Sequence, residues 1–202
     1  MHDVVVLVPG FVDAGAGGRQ RTGGTITLVR GRPNLLVDTG DPVQQGHLLD
    51  ALTRQGLSPV DIAYIINTHG HLDHVGNNGL FPHATFVLDC DLSHEGEYWQ
   101  HDFAAGTLDI PADDGGPPVR VIRATGHTDH DVVVLVATAQ GRIAIAGDLF
   151  EHAGDDADRA WERWSRDPVT QRISRNRVAL MADYIVPGHG QIFASSTVRS
   201  SP

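Results

Sequence analysis

Three imidazoles and one carboxylate fall within six residues in the run Thr68-His69-Gly70-His71-Leu72-Asp73-His74. Before it, Ile62-Ala63-Tyr64-Ile65-Ile66 has the apolar, β-branched composition of a buried strand, and after it Val75-Gly76-Asn77-Asn78-Gly79 reads as a glycine-rich turn. The cluster therefore sits where a strand ends and the backbone turns. Side chains two apart in extended chain point the same way, so His69 and His71 can reach one cation together. Asp73 and His74, past the turn, face a second position beside it. A single histidine at such a place is usually a partly buried polar side chain. Four ionisable groups together are costly unless something pairs with them, and a divalent metal fits their chemistry.

Three further ligand-type residues each follow an apolar, strand-like run: His127 in Thr125-Gly126-His127, Asp148 in Ala146-Gly147-Asp148, and His189 in Pro187-Gly188-His189-Gly190. The chain between them supplies the elements that must position these groups. Strands are expected at 4–8, 25–29, 34–37, 59–66, 84–88, 119–124, 132–138, 142–146 and 184–186. Asp41-Pro42 opens a helix whose Leu48, Leu49 and Leu52 form an apolar stripe, ended by Gly56. Two more helices are expected at 156–166 and 168–182, the second packing through Val169, Ile173, Leu180 and Met181. Residues 15–24 read as a mobile connection in preference to a flap over substrate. The segment 89–118 loses periodicity and collects His94, Glu95, Glu97, Tyr98, Trp99 and His101; it reads as a roof over the site or a surface excursion, and neither histidine is assigned as a ligand. Strands interleaved with helices give an α/β layered fold, read as one domain over 1–202 with 195–202 a frayed tail.

The T-H-G-H-L-D-H run, then G-H, A-G-D and P-G-H-G in that order, resembles the metallo-β-lactamase superfamily. The stretch from Ala146 to Ala194, with Gly147-Asp148-Leu149-Phe150-Glu151, Trp161 and Asp167-Pro168, together with Thr27–Gly31 and Gly79–Pro82, narrows the likeness to one small subgroup. The resemblance implies a four-layer αβ/βα sandwich with two mixed β-sheets. It also implies a division of the ligands: His69, His71 and His127 at one zinc ion, Asp73, His74 and His189 at a second, and Asp148 bridging them. Asp38, after the strand 34–37, would support the ligand shell by accepting a hydrogen bond from an imidazole. Spacing alone says only that seven ligand-type side chains converge.

A hydroxide held between two such ions attacks an ester-like centre at neutral pH, with Asp73 handling the proton as the catalytic carboxylate. The ligand set favours zinc but accepts iron or manganese. His71 stands where oxygen-reducing di-iron relatives carry glutamate, and Asp148 where many true β-lactamases carry cysteine; both points turn the resemblance away from those branches. Little chain follows His189, which leaves no room for the helical domain of glyoxalase II relatives. Substrates consistent with the metals are a small thioester or lactone, or a phosphodiester including RNA as the subgroup implies. The net charge of −10 over 202 residues disfavours nucleic acid. A mononuclear iron enzyme like the persulfide dioxygenases and a non-catalytic metal-binding module are the competing classes. His130, His152 and Arg159 are candidate substrate or proton-handling groups. Cys90 is the one cysteine, so thiolates cannot hold the metal. No run reaches the roughly 18 apolar residues of a membrane span, and a cytoplasmic protein is expected. Trp161 and Trp164 serve either a homodimer interface or the core.

Overall fold

The computed structural model describes residues 2–157 and 159–199. Chain order begins with β1 (Asp3–Val8), then a hairpin of β2 (Phe11–Ala14) and β3 (Gln20–Gly23), then β4 (Ile26–Arg30) and β5 (Leu35–Val37). Asp41 caps the 3-10 turn Pro42–Gln44, which runs into α1 (Gln45–Arg54). A second 3-10 turn, Pro59–Asp61, precedes β6 (Tyr64–Asn67), so the strand expected over 59–66 starts late: Pro59 and the Ser58–Asp61 capping box favour a turn. The one-turn helix α2 (Leu72–Val75) follows, then β7 (Thr85–Leu88), β8 (Asp91–His94), β9 (Glu97–Gln100), β10 (Leu108–Ile110), β11 (Val119–Arg123), β12 (Val132–Thr138) and β13 (Gly141–Gly147). Helix α3 (Pro168–Met181), β14 (Tyr184–Pro187), β15 (Phe193–Ala194) and α4 (Ser196–Arg199) complete it.

One sheet has the order β1-β4-β5-β6-β7-β8-β9 and the other β10-β11-β12-β13-β14-β15. Both are mixed: β5-β6-β7 and β13-β14 pair in parallel, while their other neighbours are antiparallel. Alternation along the strands makes four layers from this pattern. Val132, Val134 and Val136 of β12 face Val29, Val37, Ile66 and Val87 of the other sheet, while Val133 and Leu135 turn the opposite way, toward α3. Leu28, Leu36 and Ile65 pack outward on Leu48 and Leu52 of α1. Each such buried aliphatic side chain contributes about 1.5–3 kcal/mol, so the two sheets and two outer helices lock one register. The architecture is the four-layer α/β sandwich expected.

Several expectations are corrected. Residues 15–24 are no simple loop, because β3 pairs with β2. The segment 89–118 does not roof the site: β8 and β9 extend the first sheet and β10 edges the second, since their backbone groups find partners at those edges. His94 and His101 bond Thr85 and Gly106. The helix expected over 156–166 is not formed among the described residues there, which make turns and one 3-10 segment, Ala160–Arg163; residue 158 lies outside the described residues. Asp156 at the start of this stretch, with Asp155 just before it, serves a buried cation: Arg175 binds Asp155 at 2.5 and 2.9 Å and Asp156 at 2.9 Å. On α3, Val169, Ile173 and Leu180 are exposed, and the buried face is Gln171, Ser174, Arg175, Val178 and Ala179. Trp161 is fully buried, stacked by the guanidinium of Arg175. The tail is not frayed through 199: Ser195 is buried and bonded to Asp183 and Ala182, and α4 packs on α3. Residues 200–202 lie outside the described residues. Among the described residues, no helix is long and apolar enough to cross a membrane.

Candidate metal centre

Strand ends deliver the site. His69 and His71 leave β6, His74 lies on α2, His127 follows β11, Asp148 follows β13, and His189 follows β14. His69 Nε2 lies 2.9 Å from His71 Nδ1, and His127 Nε2 lies 3.1 Å from that same atom. Asp148 Oδ2 stands 3.6 Å from His69 Nε2 and 3.4 Å from His127 Nε2. Across the carboxylate, Asp148 Oδ1 is 3.0 Å from His74 Nε2 and 3.4 Å from His189 Nε2. Asp73 Oδ2 is 3.8 Å from His189 Nε2. The donors form two groups able to hold a cation: His69, His71, His127 and Asp148, and beside them Asp73, His74 and His189.

Hydrogen bonds behind the rings fix what faces the centre. Asp38, in the left-handed conformation at φ 59°, accepts from Thr68 N at 2.7 Å and Thr68 Oγ1 at 2.8 Å, and its Oδ2 meets His74 Nδ1 at 2.8 Å. With its proton given to Asp38, Thr68 Oγ1 accepts from His69 Nδ1 at 3.1 Å. His189 Nδ1 donates to Gly23 O at 3.2 Å. Each bond puts an N–H outward and turns Nε2 inward as a potential donor to a cation. Inside, His74 Nε2 and Asp148 Oδ1 are buried without a hydrogen-bond partner. Convergent nitrogens and an orphaned carboxylate oxygen are what a divalent cation would satisfy, so these residues fit one.

Electrostatics divides the site. Burial holds His69 well below the ordinary imidazole value and His127 down at about 4. Burial also opposes the charged form of His74, but Asp148 and Asp38 outweigh it and raise its pKa well above the ordinary value. His189 is raised similarly, burial being outweighed chiefly by Asp148. Asp148, despite its burial, is kept ionised by His74, His189 and His69. Burial first, then the Asp148 charge, push Glu151 up to about 8.

Glycines and α3 make the crowding feasible. A Cβ on Gly188 would overlap the Asp148 carboxylate, and one on Gly126, at φ 140°, would overlap the backbone of Gln171. From the polar inner face of α3, Gln171 Nε2 donates to Asp148 O at 3.0 Å, Ser174 Oγ to Thr125 O at 2.7 Å and Arg175 Nη1 to Leu149 O at 2.8 Å. These positioning residues have no role in the sequence reading. Their signal is a polar stripe at helical spacing, hidden beside the more apolar face.

The centre opens to a cleft of about 630 Å³ whose walls include Val12, Gln20, Thr22, Glu151, His152 and Trp164. Its wall thus comes from the β2–β3 hairpin and from residues after Asp148, among them His152, a candidate substrate or proton-handling group by sequence, whereas the sequence reads 15–24 as a mobile connection in preference to a flap. His130 lies in an adjoining cavity, paired with Asp89 at 2.8 Å, and Arg159 pairs with Glu162.

A four-layer sandwich with two mixed sheets and a histidine–aspartate centre at the strand ends defines a metallo-β-lactamase fold hydrolase. The superfamily model matches residues 19–189, and the chain belongs to the metallo-β-lactamase superfamily. Among its relatives, it is 41% identical over 193 residues to metallo-beta-lactamase domain-containing protein 1 of Xenopus laevis, covering 95% of this chain and 81% of the relative. A metallo-β-lactamase family protein from Thermus thermophilus superposes with TM-score 0.65 at 19% identity, covering 97% of this chain and 76% of that one. An N-acyl homoserine lactone hydrolase, solved with its product at the catalytic metal centre, gives 0.60 at 18% identity over 88% and 86%. These structural likenesses carry the fold.

Proposed function

We propose that the chain is a binuclear zinc hydrolase of small, uncharged ester-like substrates, a lactone or a thioester. The observation that carries this reading is the convergence of His69 Nε2, His71 Nδ1 and His127 Nε2 on one side of Asp148, with His74 Nε2 and His189 Nε2 on the other. The first three would hold one zinc, Asp73, His74 and His189 a second, and the two oxygens of Asp148 would reach both. Imidazole predominance favours zinc over iron or manganese. When bound, such a pair supplies acidified water at neutral pH and polarises the substrate oxygen.

This chain's own groups do the rest. Asp73, on the cleft wall, takes a proton from the attacking water at Oδ2 and returns it to the leaving atom, oxygen in a lactone or sulfur in a thioester. Asp38 holds His74 in the orientation that leaves Nε2 for the ion. Val12 and Trp164 offer an apolar surface to the acyl portion and exclude water there, while Gln20 and Thr22 can bond its polar atoms. Among the described residues lining the cleft there is no arginine, and Asp73, Asp148 and Glu151 all face it. Arg166, in the adjoining cavity, is already paired with Asp129 at 2.8 Å. That charge pattern supports an uncharged substrate over a phosphodiester.

The test is elemental analysis of gently purified protein, combined with turnover of lactone, thioester and phosphodiester reporters. Two zinc ions per chain, with a lactone or thioester cleaved and the activity lost in Asp148→Asn, is the expected result. One iron per chain without hydrolysis would move the assignment to oxygen chemistry, and preferential phosphodiester cleavage would overturn the substrate class.

A further inference from the structure

Glu151 occupies a position that none of these roles explains. The turn after Asp148, closed by Leu149 N to Ala146 O and Phe150 N to Gly147 O, sends Leu149 and Phe150 into the core and leaves Asp148 and Glu151 on the cleft. The Glu151 side chain is 12% exposed, with Oε2 3.9 Å from His189 Nε2. Its Oε1 is buried with no hydrogen-bond partner, and neither has Asp148 Oδ1. The buried cation of this region, Arg175, is committed to Asp155 and Asp156. A buried carboxyl with one oxygen unbonded and its other oxygen no nearer than 3.9 Å to the His189 imidazole is costly to ionise.

The backbone nevertheless holds it firmly. Asp155 Oδ2 accepts from Glu151 N at 2.8 Å, and His189 N donates to Glu151 O at 2.8 Å. One ligand-type atom from each of Asp148, Glu151 and His189 lies within 4.8 Å of the others, a third donor group that shares His189 with the second position.

We propose that Glu151 is a further ligand of the second ion. The assignment rests on the binuclear reading above. The second position then carries three carboxylates, Asp73, Asp148 and Glu151, against two imidazoles, His74 and His189. The first carries three imidazoles and one carboxylate oxygen. Oxygen-rich sites favour harder cations, so the second position accepts Mn²⁺ more readily than the first does.

The experiment starts from metal-free protein given one equivalent of Zn²⁺ and titrated with Mn²⁺, free Mn²⁺ being read from its electron paramagnetic resonance signal. Wild type should bind a further equivalent. Glu151→Gln should weaken that step by about tenfold or more while keeping the first Zn²⁺, and Glu151→Asp should fall between. In E151Q the rise in Tm on adding metal should also shrink. A purely structural Glu151 would instead lower Tm equally with and without metal, leaving that rise unchanged. Equal Mn²⁺ affinity in wild type, E151Q and E151D overturns the Glu151 assignment and leaves the binuclear reading intact. Wild type that takes up only one ion of any kind overturns both.

Discussion

The two halves of the candidate metal centre are built from the same imidazole chemistry but preset in opposite states. Around His69 and His127 burial dominates, so both rings stay neutral and need lose no proton to meet a cation. His127 Nδ1 has no partner at all. Around His74 and His189 acids dominate, and the rings are biased toward the protonated form. There Asp38 and Gly23 O grip the outer nitrogens. One half is made ready by desolvation, the other by charges that a cation must partly replace. Readiness for an ion therefore follows from the surroundings of an imidazole as much as from its presence.

The severest way to break this division is Asp148→Asn, because that carboxylate touches both halves. Loss of several kcal/mol of transition-state stabilisation, about 10³-fold or more in kcat/KM, should accompany loss of bound metal; full metal content with full activity would refute the shared role. Next is Asp155→Ala, which leaves Arg175 buried without its main partner and should cost about 3–5 kcal/mol in denaturant unfolding. A cost below about 1 kcal/mol would mean that Asp156 alone suffices.

Asp38→Asn should act on one half, lowering affinity for the second ion about 10–100-fold with the first retained; equal weakening of both would erase the distinction. Acid sharpens it further. For His127 the folded pKa, about 4, lies below the unfolded value, so its contribution to the stability of metal-free protein is full above about 6.5 and is lost as pH falls toward 4. For His74 the folded pKa is raised, so its contribution is full below the unfolded value and is lost as pH rises through the folded one. Protons thus compete with metal earlier at the second half. Dialysis in steps from pH 7 to 5 should release one ion before the other, read by elemental analysis and by which half's imidazoles titrate. The mildest change is Trp164→Ala, expected to raise KM severalfold for an apolar acyl reporter with little effect on metal content.

Much of this was legible in the sequence because it is local or repetitive. The strand runs before Thr68, His127, Asp148 and His189 announce themselves by apolar composition, and β12 opens with five buried aliphatic residues, Val132 to Val136. The active-site walls were not. Val12, Gln20 and Thr22 reach the cleft through a hairpin whose short strands, Phe11–Ala14 and Gln20–Gly23, lack a clear alternation. The face of α3 was misassigned because the helix buries hydrogen-bonding groups: Gln171, Ser174 and Arg175 satisfy loop carbonyls that exist only after the sheet has formed. The helix expected from Asp156 onward does not form because Asp155 and Asp156 are drawn to Arg175, distant in sequence. Tertiary hydrogen bonding overrode local propensity at each of these places.

The contact of Thr25 with the loop before His189 has a consequence in time. Thr25 N and Oγ1 both donate to Gly188 O, at 2.7 and 2.9 Å, across 163 positions of chain. During synthesis, the His69-to-His74 run leaves the ribosome long before β14 exists to pair beside β13. Closing so long a loop comes late, since its entropy is lost before its contacts form. A nascent chain offers only part of this candidate ligand set, which is complete only in the molecule whose β14 has docked beside β13.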